Sequence, residues 1–164
     1  MKNKKKLLVV GGTGFLGFHL SKEALKKGWS VTSLSSNKPK KIRYLKKVKY
    51  LVCNISKKKE IDKIKLNFDH VVNFGGYVDH KDKSKTYKSH FVGCKNLANH
   101  FCKKKIFSFV QIGSCVEYGF TKSPQNENSS TSINKLNSVY GKSKLMASNY
   151  LIGLYKKKKF PVTI

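Results

Sequence analysis

Apolar residues along the chain fall into short continuous runs and longer spaced series that alternate with one another. The first run, residues 7–10 (Leu-Leu-Val-Val), is bounded by lysines before it and glycines after it, as expected of a strand buried in a parallel sheet. Leu16, Leu20 and Ala24 then recur at helical spacing, Ser21, Lys22, Glu23, Lys26 and Lys27 fill the other faces, and Gly28 supplies a stop. Residues 29–34 read as a second strand closed by the loop Ser35-Ser36-Asn37-Lys38-Pro39, and 48–53 as a third. A brief helical pattern at 61–66 precedes a fourth strand at 68–74, which again runs into glycines, Gly75 and Gly76. Within 83–105, Tyr87, Phe91, Cys94, Leu97 and Phe101 sit three and four residues apart, which predicts a long amphipathic helix. Residues 106–112 read as the fifth strand, 121–137 as a polar loop containing Pro124, and 139–155 as the last helix. Residues 160–164 read as a sixth strand that has barely begun. Strand and helix alternate throughout, so the expected fold is α/β: a doubly wound parallel sheet with helices on both faces and its last strand truncated.

The first strand feeds the first helix through Gly11-Gly12-Thr13-Gly14-Phe15-Leu16-Gly17. Such a junction attracts phosphate, because the first backbone N–H groups of a helix lack internal partners and the helix dipole adds partial positive charge there. Gly12, Gly14 and Gly17 match G-x-G-x-x-G, and Gly11, Gly14 and Gly17 match the wider G-x-x-G-x-x-G, so both dinucleotide-binding spacings are present.

The 164 residues hold one domain with a real core but not a complete two-domain enzyme. The basic opening leads into an apolar run too short for a signal peptide or a membrane span, which makes the cytoplasm the expected location. Cys53, Cys94, Cys102 and Cys115 are scattered without Cys-x-x-Cys or histidine ligand spacing, so reduced thiols and no metal site are expected, and all four read as small apolar residues. A formal net charge of +27 would draw polyanions to any fold. Arg43 is the only arginine, however, and base-edge recognition favours arginine's planar fork, so specific nucleic-acid binding is not expected. The lysine runs at 2–6, 57–59, 103–105 and 156–159 fall at element ends, where solvated charge usually lies.

Two more constellations lie where doubly wound sheets bind ligands, beyond the carboxyl ends of strands. Gly113-Ser114-Cys115 follows strand five, and Tyr140-Gly141-Lys142-Ser143-Lys144 places Tyr140 and Lys144 on one helix face. A tyrosine, with an ordinary pKa of about 10, works as a base near neutrality only when a cation steadies its phenolate. Lys144 is the candidate cation, and Ser114 can hydrogen-bond the same substrate oxygen, which together make a proton-transfer site for interconverting an alcohol and a ketone.

The segments Val9-Val10-Gly11-Gly12-Thr13-Gly14-Phe15-Leu16-Gly17, Val72-Asn73-Phe74-Gly75-Gly76, Gln111-Ile112-Gly113-Ser114-Cys115-Val116-Glu117-Tyr118-Gly119 and Ser138-Val139-Tyr140-Gly141-Lys142-Ser143-Lys144-Leu145 resemble the extended short-chain dehydrogenase/reductases. That is the NAD-dependent epimerase/dehydratase family of nucleotide-sugar enzymes, and the resemblance covers essentially the whole chain. It implies a Rossmann-type NAD(P)-binding domain over 1–164, with Gly11, Gly14, Phe15, Leu16 and Gly17 around the pyrophosphate. It also implies cofactor contacts from Asn54 and Ile55 on the adenine side and from Phe74, Gly75 and Gly76 on the ribose and nicotinamide side. Ser114, Tyr140 and Lys144 form the implied catalytic set, Tyr140 moving the proton and Lys144 also holding the nicotinamide ribose. Family members often form homodimers through the helices matching 83–105 and 139–155.

The departures from the family pattern sharpen the expectation. Where NAD users carry an acid at the end of strand two, this chain has Ser35, followed by Ser36, Asn37 and Lys38, which predicts NADP in preference to NAD. Asn54 replaces a common aspartate near the adenine and keeps an acceptor; His90 replaces a common asparagine on the long helix. Cys115 and Val116 stand where dehydratases carry their acid pair, which leaves a nucleotide-sugar 4-epimerase (an isomerase) or a 4-ketoreductase (an oxidoreductase), with Glu117 structural or substrate-facing. The smaller substrate domain of the family is absent from 1–164, so the chain is expected to be the cofactor half of such an enzyme: a truncated frame, a fragment or a degenerate copy. The rival reading is a non-catalytic NAD(P)- or polyanion-binding module.

Overall fold

The computed structural model describes residues 4–164; Met1 to Asn3, which open the amino-terminal basic run, lie outside the described residues. Six parallel strands form one sheet in the order β3-β2-β1-β4-β5-β6. They are β1 (Lys6–Val10), β2 (Ser30–Ser35), β3 (Lys49–Val52), β4 (His70–Asn73), β5 (Ser108–Gln111) and β6 (Val162–Thr163). The helices are α1 (Phe15–Lys26), α2 (Lys58–Ile61), α3 (Lys83–Tyr87), α4 (Gly93–Phe101) and α5 (Val139–Lys158). The doubly wound α/β architecture expected from the alternation is present. Among the described residues no helix is long and apolar enough to cross a membrane.

Strand alternation divides the core into two layers. Leu8 and Val10 of β1 join Leu34, Leu97, Phe101, Phe109 and Leu151 on the face covered by α4 and α5. Leu7 and Val9 join Ala24, Val31 and Val48 on the face covered by α1. Chain reversal after β3 sends β4 to the other side of β1, so the two halves of the sheet part at the carboxyl ends of β1 and β4.

Several element details differ from expectation. On α1 the buried residues are Gly17, Ser21 and Ala24, whereas Leu16 is 56% exposed. The helix lies so close to the preceding turn that only small residues fit: a Cβ on Gly17 would stand 2.6 Å from Gly12 Cα and 2.9 Å from Gly11 C. Helix α2 comes earlier than the 61–66 pattern. Lys57 N–H donates to Asn54 O at 2.9 Å to begin the turn. The carbonyls of Ile64 and Leu66 accept instead from Lys104 Nζ, at 3.0 and 3.1 Å, so the chain there stays irregular while Ile61 and Ile64 are still buried.

The long helix is interrupted. A π-turn over Lys88–Val92 separates α3 from α4, and α4 ends at Phe101 rather than at 105. The cysteines also divide: Cys53 and Cys94 are buried, but Cys102 is half-buried and Cys115 exposed, so only the first pair behaves as core residues. Burial pushes the Cys94 thiol up to about 12 and, helped by Glu60, the Cys53 thiol up to about 11.

A candidate dinucleotide and proton-transfer site

The turn between β1 and α1 is built for close approach. Gly11 adopts φ +75°, a conformation that favours glycine, and its carbonyl accepts from Gly14 N–H at 2.9 Å. No side chain caps the start of α1, so its first-turn N–H groups keep their capacity for an anion. A cleft of about 720 Å³ opens beside this turn, along the carboxyl ends of β1, β2 and β4. Of the residues singled out from the sequence, Gly11, Gly14, Ser35, Ser36, Asn54, Ile55, Phe74, Gly75 and Gly76 line it.

Others do not. Phe15 is 64% exposed and Leu16 points away with it, Gly17 is buried beneath the turn, and Asn37 and Lys38 are exposed in the loop past Ser36. These residues reach the cleft only through the backbone of the turn or from its rim. Asn54 also differs from its expected role: its side-chain oxygen already accepts from Ser56 N–H at 3.0 Å and from the Ser56 hydroxyl at 2.7 Å. The group it retains for a ligand is its amide NH2, a donor.

Ser35 and Arg43 fix the far side of the turn. Thr13 N–H donates to Ser35 Oγ at 3.2 Å, and Arg43 Nη1 reaches Thr13 O at 3.5 Å. The single arginine, noticed in the sequence only as a matter of composition, thus reaches the same residue, Thr13, that Ser35 holds. Its separation from Ser35 in sequence hid this. Lys85, Lys88 and Ser89, from the helical segment that follows β4, also line the cleft and were not singled out.

The residues expected to transfer the proton, Ser114, Tyr140 and Lys144, do not line this cleft; they lie in the loop after β5 and on the first turns of α5. Lys144 is 6% exposed, and its Nζ donates to the carbonyl of Ile112 at the end of β5. Burial pulls its pKa below the ordinary lysine value, partly opposed by the neighbouring Glu117 carboxylate and then by Cys94. Glu117 is 7% exposed and clamps the loop after β5: its Oε1 accepts from Ser114 N–H at 2.8 Å, and its Oε2 accepts from the Ser148 hydroxyl at 2.6 Å. Of the two roles left open for Glu117, the structural one is observed. Ser114 and Lys144 are therefore tied to one carboxylate and one strand end.

A buried polar chain links the cleft to this lysine. Gly75 N–H donates to Asn73 Oδ1 at 2.9 Å, and Asn73 Nδ2 donates to Gln111 Oε1 at 2.7 Å. Gln111 Nε2 in turn donates at 3.0 Å to the same Ile112 carbonyl that Lys144 holds. Cys94 Sγ adds a second donor to Gln111 Oε1 at 3.2 Å.

Tyr140, one helical turn before Lys144, is enclosed by imidazoles. His80 stacks on its ring at a centroid distance of 4.3 Å and 28°, and His90 meets it edge-on at 4.9 Å and 80°. His90, inside the π-turn, also bonds Tyr77 O through Nε2 at 3.1 Å and covers Gly76, where a Cβ would stand 2.7 Å from its Nδ1. Burial lowers its pKa, the Tyr77 carbonyl partly opposing and the charge of Lys144 adding to the effect. Substituting histidine for the family's asparagine thus places a ring between a cleft-lining glycine and the tyrosine.

A glycine turn and an uncapped helix start at the point where a parallel sheet reverses are the features of a Rossmann-type α/β fold. The sequence profile of the NAD-dependent epimerase/dehydratase family matches residues 7–164, and the chain belongs to that family. Solved structures share the fold at low identity. The UDP-glucose 4-epimerase of Thermotoga maritima with UDP-glucose matches 96% of this chain and 53% of its own, with a TM-score of 0.86 and 17% identity. The Thermus thermophilus UDP-glucose 4-epimerase in complex with NAD matches 96% and 53%, with a TM-score of 0.83 and 21% identity. The Bacillus cereus UDP-glucuronic acid 4-epimerase with UDP-glucuronic acid and NAD matches 97% and 55%, with a TM-score of 0.83 and 19% identity. The chain spans about half the length of these proteins. No match was found among curated protein sequences.

Proposed function

We propose that residues 4–164 form the cofactor-binding half of a nucleotide-sugar 4-epimerase or 4-ketoreductase that prefers NADP to NAD. The observation that carries this reading is the cleft itself: an uncapped α1 start and a glycine turn facing Gly75 and Gly76, with a buried lysine one strand away and a tyrosine one turn before it. The α1 N–H groups and Gly11 and Gly14 would hold the pyrophosphate. Ile55 and the amide of Asn54 would hold the adenine side, and Phe74, Gly75 and Gly76 the nicotinamide side. Ser35, Ser36 and Arg43 would meet a ribose 2′-phosphate, with no carboxylate in that group to repel it.

Bound nicotinamide supplies the hydride donor or acceptor for an alcohol–ketone interconversion. Tyr140 moves the proton at its phenol oxygen, the Lys144 ammonium steadies the phenolate, and the Ser114 hydroxyl orients the substrate oxygen. The carboxylate of Glu117 holds the Ser114 loop and the surroundings of Lys144 without touching substrate. A nucleotide sugar is the substrate class that fits the family. A homodimer through the outward faces of α4 and α5, where Ile152 and Tyr155 are exposed, accords with the same reading.

A ligand that binds only the folded state raises the melting midpoint, so melts with NADPH and with NADH test folding and cofactor together. A cooperative transition raised more by NADPH is expected. An equal or larger shift with NADH contradicts the NADP preference, and no shift with either contradicts the cleft assignment. The stacking of His80 on Tyr140 favours a second reading, a dinucleotide-binding module without turnover. Cofactor binding with neither NADPH oxidation by a keto-sugar nucleotide nor 4-epimerisation of a nucleotide sugar, in the wild type as in Tyr140→Phe, would select it.

A further inference from the structure

Because all six strands are parallel, their amino ends share the edge of the sheet opposite the dinucleotide cleft. The residues just before four neighbouring strands stand side by side there: Trp29, Lys5, Asp69 and Phe107. Backbone bonds tie them together, Ser30 N–H to Lys5 O at 2.9 Å, Asp69 N–H to Lys6 O at 2.8 Å and Phe107 N–H to Asp69 O at 2.7 Å. Three strand intervals of about 4.8 Å make this a row about 14 Å long.

A second cleft of about 560 Å³ opens on this edge, with Lys4, Lys5, Lys6, His70 and Phe107 in its wall. Three rings form a row at this edge, His70 and Phe107 in the cleft wall and Trp29 next to His70. Trp29 and His70 lie 5.1 Å apart at 33°, and His70 and Phe107 lie 6.0 Å apart at 39°. His70 is held in place by a 2.9 Å bond between its Nδ1 and Ser108 Oγ, Lys5 Nζ sits 5.2 Å over the Trp29 ring, and Phe107 is 67% exposed. The one carboxylate here, Asp69, accepts from Lys6 N–H at 2.7 Å. Lysines at helix ends are explained by the helix dipole, and single exposed apolar residues are ordinary. Neither explains a row of rings that ends in solvent at Phe107, in a cleft that three consecutive lysines also line.

We propose that this amino edge binds single-stranded nucleic acid without sequence preference, independently of the dinucleotide cleft. Lysines meet phosphates as point charges, and flat rings stack on unpaired bases, every one of which offers a π-face. A duplex hides those faces. Sequence readout would need forked donors, and the only arginine, Arg43, bonds Thr13 O at the opposite end of the sheet. This partner differs from the base-specific one that the lack of arginine argues against.

The test is anisotropy of a fluorescein-labelled oligouridylate titrated with the full chain at several salt concentrations, together with the emission of Trp29, the only tryptophan. Binding that quenches Trp29 and survives saturating NADPH is expected. Phe107→Ala should weaken it about five-fold or more with the salt slope unchanged, whereas Phe107→Tyr should retain it and so separate loss of the ring from damage to the fold. Lys5→Gln should lower the salt slope by about 0.7, and Lys142→Gln, on the first turns of α5 away from this edge, should leave ring-dependent binding intact. The proposal is overturned if Phe107→Ala binds like the wild type, if NADPH displaces the oligonucleotide, or if a duplex of equal length binds as tightly. It is equally overturned if the oligouridylate fails to bind at low salt while anionic phospholipid vesicles bind through the same Phe107.

Discussion

Replacing Glu117 with glutamine should destabilise the domain although the two side chains are nearly the same size. The carboxylate accepts one bond at each oxygen, from Ser114 N–H at 2.8 Å and from the Ser148 hydroxyl at 2.6 Å, in a side chain almost wholly buried. Bonds to a charged group contribute about 1.5–3 kcal/mol each. Glutamine keeps one acceptor oxygen for Ser114 N–H and turns its NH2 to the Ser148 hydroxyl, which must then accept instead of donate, so both bonds become neutral ones of about half the strength. Lys144 also loses the nearest negative charge that offsets its burial. The expected loss is about 2–4 kcal/mol, or roughly 6–12 °C in melting midpoint for a mid-range value in a domain of this size. Urea unfolding at neutral pH, followed by Trp29 emission, measures it, and Ser148→Ala provides the single-bond reference. A loss for Glu117→Gln under about 1 kcal/mol would refute the view that this carboxylate organises the loop after β5.

Other outcomes follow from the same contacts. Burial lowers the pKa of His90, and likewise that of His100 in the last turn of α4, so below the ordinary histidine value of 6.5 the unfolded chain takes up protons that the native state refuses. Stability should therefore fall as pH drops through that value, and His90→Asn should flatten part of the fall in urea midpoints; a midpoint that rises on acidification would contradict this. Arg43→Gln should weaken NADPH about ten-fold and leave NADH nearly unchanged in calorimetric titrations, the loss of one charge-assisted bond. Gly17→Ala places a Cβ against the backbone of Gly11 and Gly12 and should lower stability by about 1–3 kcal/mol, measured by urea unfolding, along with the cofactor-induced melting shift.

How much was legible in the sequence depended on the range of each signal. Strand runs such as residues 7–10 and the 3.6-residue series ending at Phe101 report local burial, so element order and sheet class could be read directly. The early end of α2 could not, because the chain after it is held irregular by Lys104, which bonds the Ile64 and Leu66 carbonyls from 40 and 38 residues away. The same limit applied to Leu16, whose helical spacing looked like a core position until the close approach of Gly17 turned a small-residue face inward. In the candidate site, residues carried by motifs (Gly11, Gly75, Ser114, Tyr140, Lys144) were visible because each motif is contiguous. Arg43, His80 and the Asn73–Gln111 pair were not, because their neighbours come from other strands and helices. The lysine runs gave the converse case. Each looked like ordinary solvated charge in sequence, and only the parallel topology places Lys4–Lys6 against Trp29, His70 and Phe107.

The Asn73–Gln111 pair bears on how the sheet finds its alignment. A slip of β5 by one residue along β4 would turn its apolar side chains to the wrong face, so burial alone forbids it. A slip by two residues returns every side chain to its proper face, and the hydrophobic pattern cannot object. Asn73 and Gln111 are register partners across this pair of strands, and each amide has a fixed sense because Gly75 and Ile112 take up the outer ends. In a two-residue slip the amides would part and leave buried donors and acceptors unanswered, at about 1–3 kcal/mol for each group. Two paired amides on neighbouring strands thus act as the alignment key for β4 and β5, selecting one register among those that hydrophobicity would accept.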